Sequence, residues 1–155
     1  MNCATGICGP REQCNGAGGE PPANLAEFTF QGNAADDFYD VSLVDGYNIP
    51  VLIDAIGGEG NCRRAGGCFT DINEKCPGNL AVKRDGRTVA CKSACMAYNT
   101  DHDCCRGAFG TSDKCKPSET SRMFKDACPQ AYSYAYDDPT STFTCRNANY
   151  VVQFC

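Results

Sequence analysis

DFYDVSLVDGYNIPVLIDAI, residues 37–56, decides the fold class. Val, Ile, Leu, Tyr and Phe crowd this stretch, and Gly46, Asn48 and Pro50 interrupt it. Short apolar runs bounded by Gly, Asn, Pro or Asp read as strands, not helices. The stretch predicts strands over 37–46 and 48–56, and LAEFTF at 25–30 predicts one before them. The same texture returns in STFTC (141–145) and NYVVQFC (149–155), which predict two closing strands that rejoin the first sheet.

The middle of the chain reads differently. GGEGNCRRAGGC (57–68) predicts a loop, and most of the cysteines follow it. TVACKSACMAYN (88–99) carries Val89, Cys91, Cys95, Met96 and Tyr98 near helical spacing and predicts a short helix. SETSRMFKDACP (118–129) predicts a second, with Ser118 or Thr120 as cap and Pro129 as stop. Met96 and Phe124 read as core residues. Residues 1–24, with GAGGEPP at 16–22, read as a stapled loop.

Fourteen of the 155 residues are cysteine, a density that points to a disulfide scaffold made in an oxidising compartment. A metal site fits poorly, because the chain has one histidine, His102, and no C-x-x-C pair. His102 reads as an exposed loop residue. No cofactor is implied. The formal net charge is −5 and the pI about 4.8. That balance argues against nucleic acid and anionic membranes as partners and leaves uncharged polysaccharide open. No apolar run reaches the ~18 residues of a membrane span, so stable membrane insertion is not expected. The cysteines predict export, yet no apolar leader precedes Cys3.

In order along the chain, CATGICGPREQC, GGEPPANLAEFTF, DFYDVSLVDGYNIP, DINEKCP, VACKSAC, DCCRG, SRMFKDACPQAYSYAYDDPTSTFTC and YVVQFC resemble the thaumatin-like proteins. These are also known as pathogenesis-related group five or osmotin-like proteins. The resemblance covers essentially the whole chain, with one departure: Ile7 stands where the family signature has Asp. It implies a flattened antiparallel β-sandwich with an inserted disulfide-rich lobe containing a short helix. Residues 1–14 would be a stapled hairpin remnant, 15–56 plus 129–155 the sandwich, and 57–128 the lobe. The implied disulfides are Cys8–Cys14, Cys62–Cys145, Cys68–Cys128, Cys76–Cys91, Cys95–Cys104 and Cys105–Cys115. The neighbours Cys104 and Cys105 thus go to different partners instead of forming a redox pair. Cys3 and Cys155 are left unpaired, because the family places their partners in a leading segment. That segment, with the first strands, a signal peptide and a cleft arginine, is expected to be missing here.

The resemblance also implies an acidic cleft, matched here by Glu27, Asp40, Asp45 and Asp137, with Asp138 as the alternative for the last. Clustered carboxylates raise one another's pKa, and an acid beside an ionised partner suits glycosidic cleavage. The same groups accept hydrogen bonds from sugar hydroxyls, and Phe38, Tyr39, Tyr47 and Tyr134 offer faces for stacking. The plainer reading makes these acids solvated turn residues, since Asp45-Gly46 is a common turn pair. Strict alternation also puts Asp40 and Asp45, five residues apart, on opposite faces, so they converge only if the strand bends or ends first.

Three functions follow as expectations. The first is a monomeric, exported plant defence protein of the apoplast or vacuole that opposes fungi by binding β-1,3-glucan or another wall polysaccharide. The second is a weak endo-β-1,3-glucanase using Glu27 and one aspartate, a reading the missing arginine weakens. The third is a truncated family member without activity. The acidic balance argues against the sweet taste and membrane permeabilisation of the family's basic members.

Overall fold

The computed structural model describes residues 3–10, 13–33 and 35–154. Cys155, expected to be unpaired, lies outside them. Cys3 lies within them and carries an exposed free thiol.

Seven strands dominate: β1 (Leu25–Asn33), β2 (Asp36–Ser42), β3 (Val51–Glu59), β4 (Ala65–Gly66), β5 (Ala81–Arg84), β6 (Arg87–Cys91) and β7 (Phe143–Phe154). The helices are short: α1 (Ile72–Lys75), α2 (Ala94–Tyr98), α3 (Glu119–Ala127) and α4 (Asp138–Ser141), with one 3₁₀ turn at Gly107–Phe109. The fold is mainly β. Five strands form an antiparallel sheet in the order β1-β2-β7-β3-β4, and β5 and β6 form a separate pair.

The two closing strands expected at 141–145 and 149–155 are one strand, β7. Its first residues pair with β2, Tyr39 opposite Phe143 and Asp37 opposite Cys145. From Arg146 onward it pairs with β3, from Glu59–Arg146 to Val51–Phe154. Asn147, at φ +55°, marks the crossover, the kind of local bend by which a strand passes between sheet faces. This pairing also carries β3 three residues into the expected loop at 57–68. At that corner a side chain on Gly58 would stand 2.5 Å from Cys145 Sγ, so the strands meet only over glycine.

The helix expected over 88–99 is half strand. Thr88 and Val89 are β-branched and sit in β6 against β5, where such side chains fit better than in a helix. Asp85 and Gly86, at φ +48° and +77°, make the two-residue turn that suits a twisted hairpin. Helix α2 starts only after Ser93, whose Oγ accepts the Met96 N–H at 3.3 Å. Met96 is half-buried, not core. Helix α3 fills the second expected helix, with Ser118 Oγ accepting the Ser121 N–H at 3.1 Å and Phe124 fully buried.

Tyr39, Val41, Leu43, Tyr47, Ile53 and Phe124 lie at the centre of the core. Tyr39 packs its ring 5.1 Å from that of Tyr150 and 6.2 Å from that of Phe143. Its hydroxyl donates to the Arg63 carbonyl. Six disulfides join Cys8–Cys14, Cys62–Cys145, Cys68–Cys128, Cys76–Cys91, Cys95–Cys104 and Cys105–Cys115. Among the described residues, no helix is long and apolar enough to cross a membrane.

Candidate binding cleft

The β1–β2 pairing sets Leu25 opposite Ser42, Glu27 opposite Asp40 and Thr29 opposite Phe38. Alternation puts these six side chains on one face. The other face carries Ala26, Phe28, Tyr39 and Val41, which turn into or pack against the core. The outward face is the floor of an open cleft of about 460 Å³, with Tyr132 and Ala135 in the opposing wall. Two backbone bonds dock that wall onto the end of β2: Tyr132 N–H to the Val41 carbonyl and Leu43 N–H to the Tyr132 carbonyl, each 2.8 Å.

Asp45 reaches the same cleft because β2 stops at Ser42. The chain then turns, with Gly46 N–H donating to the Leu43 carbonyl at 3.0 Å. The turn works only over glycine: at φ +94°, a Gly46 side chain would lie 2.6 Å from Pro22 Cβ and 2.8 Å from the Cys91 carbonyl oxygen. An early strand end thus overcomes the opposite-face argument, and Glu27, Asp40 and Asp45 share one cleft.

Glu27 and Asp45 are exposed, and Asp40 is half-buried between them. One Asp40 carboxyl oxygen is buried with no hydrogen-bond partner among the described residues. Burial first, then the Glu27 charge and hydrogen bond, then Asp138, push the Asp40 carboxyl up to about 7. The hydrogen bond between the two side chains lets the proton on Asp40 be shared with Glu27. At neutral pH the pair therefore offers both a donor and acceptors.

Asp137 is committed elsewhere. Its carboxylate takes Lys125 Nζ at 2.9 Å, the Ser133 N–H at 3.0 Å, Ser133 Oγ at 2.9 Å and Thr140 Oγ1 at 3.2 Å. It is not a lining residue of the cleft. Its neighbour Asp138 is not a lining residue either, but it accepts from Tyr132 Oη at 3.0 Å and its charge is felt at Asp40. Burial, the chief cause, pushes the Tyr132 hydroxyl up to about 12, so it remains a donor.

The aromatic expectations divide. Tyr39 and Tyr47 are fully buried and have no free face. Tyr134 lines the neighbouring crevice beside His102 instead of the cleft. Phe38 lines the cleft, and so does Tyr132, which the sequence reading missed. Only its place in AYSYAYDD beside the aspartates hinted at it. His102 is partly exposed, 3.6 Å from an Asp103 oxygen and edge-on to Phe109. Among the described residues no group of three or more His, Cys, Asp or Glu side chains is placed to hold a metal.

The Thaumatin family model matches residues 1–155. Pathogenesis-related thaumatin-like protein 3.5 of Cryptomeria japonica is 55% identical over 154 residues, covering 99% of this chain and 62% of that protein. Pathogenesis-related protein 5 of Arabidopsis thaliana is 57% identical over 153 residues, covering 99% of this chain and 63% of that protein. Thaumatin-like protein 1 of the same plant is 55% identical over 160 residues, covering 99% and 60%. The chain thus spans less than two thirds of the length of these relatives.

Proposed function

Since the chain belongs to the thaumatin family, we propose that it is a secreted plant defence protein that opposes fungi by holding β-1,3-glucan in the cleft over β1 and β2. The observation that carries this reading is the in-register Glu27–Asp40 pair on an open floor, flanked by Asp45, Phe38 and Tyr132. Carboxylates accept from sugar hydroxyls, a protonated Asp40 donates, and the two rings meet the apolar faces of the sugar. A neutral ligand suits the cleft, since no basic side chain is among its lining residues. Retention on insoluble β-1,3-glucan tests the proposal. The folded chain is retained and Glu27→Gln/Asp45→Asn is released; no retention of folded protein refutes it.

One observation favours a second reading. A carboxyl that keeps its proton to about pH 7 is the equipment of a glycosidase acid. That reading requires reducing-sugar release from laminarin, lost in both Asp40→Asn and Glu27→Gln.

A further inference from the structure

The β5–β6 hairpin carries a second concentration of charge, of the opposite sign. Lys83, Arg84 and Arg87 are exposed and Lys92 is half-buried, with Asp85 at the turn. Arg84 stands directly opposite Arg87, a like-charge pairing that destabilises a hairpin. The other arginine and lysine ion pairs of the described residues engage Arg64, Arg106, Lys125 and Arg146. None engages these four cations. Arg84 and Lys92 line a groove of about 360 Å³ that runs between the hairpin and residues 3–7 and 20–22, with Val82 and Met96 among its apolar lining. Glu20 is the carboxylate in that groove.

The hairpin with Lys92 and Glu20 carries four cations against two carboxylates, a local positive charge in a chain of formal net charge −5. Screening over about 8 Å at physiological salt lets a partner feel the local patch more than the whole molecule. We propose that the hairpin and its groove form a binding surface, separate from the acidic cleft, for a linear polysaccharide with a carboxylate on each ring. Paired guanidinium groups match planar carboxylates. The apolar lining beside them meets the C–H faces of sugar rings. Among the described residues, the groove has no aromatic side chain in its lining on which a base would stack. The tip, Lys83 to Arg87, has no apolar side chain to enter a bilayer.

Titration of the full chain with polygalacturonate tests this, with dextran, single-stranded DNA and phosphatidylserine vesicles as comparators. Polygalacturonate binds at 20 mM NaCl and loses tenfold or more in affinity at 200 mM. Arg84→Gln/Arg87→Gln lowers its affinity at least tenfold, and Lys114→Gln, at an exposed lysine elsewhere, leaves it unchanged. Glu27→Gln/Asp45→Asn does not weaken it, so failure at the cleft and failure at the hairpin are told apart. Unchanged circular dichroism and a melting temperature no lower than that of the wild type show that the arginine variant is folded. Absence of polygalacturonate binding, equal affinity of the arginine variant, or equal or tighter binding of DNA or vesicles each overturns the proposal.

Discussion

Two hairpins of this chain each set like charges face to face, and they resolve the conflict differently. In β1–β2, Glu27 opposes Asp40. In β5–β6, Arg84 opposes Arg87. The acidic pair is partly buried, and a carboxyl can take a proton, so Asp40 is pushed up to about 7 and the repulsion is removed chemically. An arginine keeps its charge at every accessible pH. Arg84 and Arg87 therefore stay charged and lie where water and salt screen them. The supports differ as well. β1–β2 is anchored by β7 and the core beneath it, whereas β5–β6 is outside the large sheet and is tied down by Cys76–Cys91 and by Cys91 backbone bonds to Tyr47.

If the sheet and core hold the first hairpin, removing its anchor gives the largest effect. Tyr39→Ala deletes a fully buried ring and the hydroxyl that serves the Arg63 carbonyl. It destabilises the fold by about 4 kcal/mol in urea unfolding. A loss below about 1 kcal/mol would mean that the hairpin stands without the core. For the second hairpin the anchor is covalent. Cys76→Ser/Cys91→Ser opens a link across 15 residues and destabilises by about 3 kcal/mol. Amide exchange then rises first in β5 and β6 and leaves β1 and β2 protected. Equal deprotection of both hairpins would erase the distinction.

The same contrast explains what could be read from the sequence. The strands of the large sheet are legible because one face is buried, so apolar residues recur with the right period, as in DFYDVS and VLIDAI. The β5–β6 hairpin is hidden because its register rests on a turn and a disulfide, and Val89, Cys91 and Cys95 mimic helical spacing. Asp85-Gly86 was the available signal, a turn pair between two runs of mixed polarity. In the cleft, Glu27, Asp40 and Asp45 could be listed from motifs, but their convergence depends on β2 ending at Ser42 and on Gly46 having no side chain. That Asp137 is held by Lys125 and Ser133 was not legible at all, because tertiary packing brings those donors to it.

Relieving the acidic pair sharpens the comparison at lower energy. Asp40→Asn removes the titrating group. A carboxyl whose folded pKa is raised contributes stability below its unfolded value, about 4, and loses it as pH rises through the folded value. For Asp40 that window ends at about 7. The variant therefore melts with the wild type at pH 4 and becomes more stable by about 1 kcal/mol at pH 8, a figure reduced for the partial exposure of the site. A constant difference across that range would show that Glu27 and Asp40 do not share a proton.

The smallest effect belongs to the basic pair. Arg87→Gln ends the opposition to Arg84 and raises stability by about 0.3 kcal/mol at 20 mM NaCl. Because both side chains are exposed, the gain disappears at 0.5 M NaCl, where charges a few ångströms apart are already screened. The gain from Asp40→Asn at pH 8 persists at that salt, since burial, the chief cause of the shift, does not depend on ions. Melting both variants at the two salt concentrations separates repulsion managed by a proton from repulsion managed by solvent. If the Arg87→Gln gain survives high salt, the two guanidinium groups are held in a drier setting than their exposure implies, and the hairpins differ only in sign.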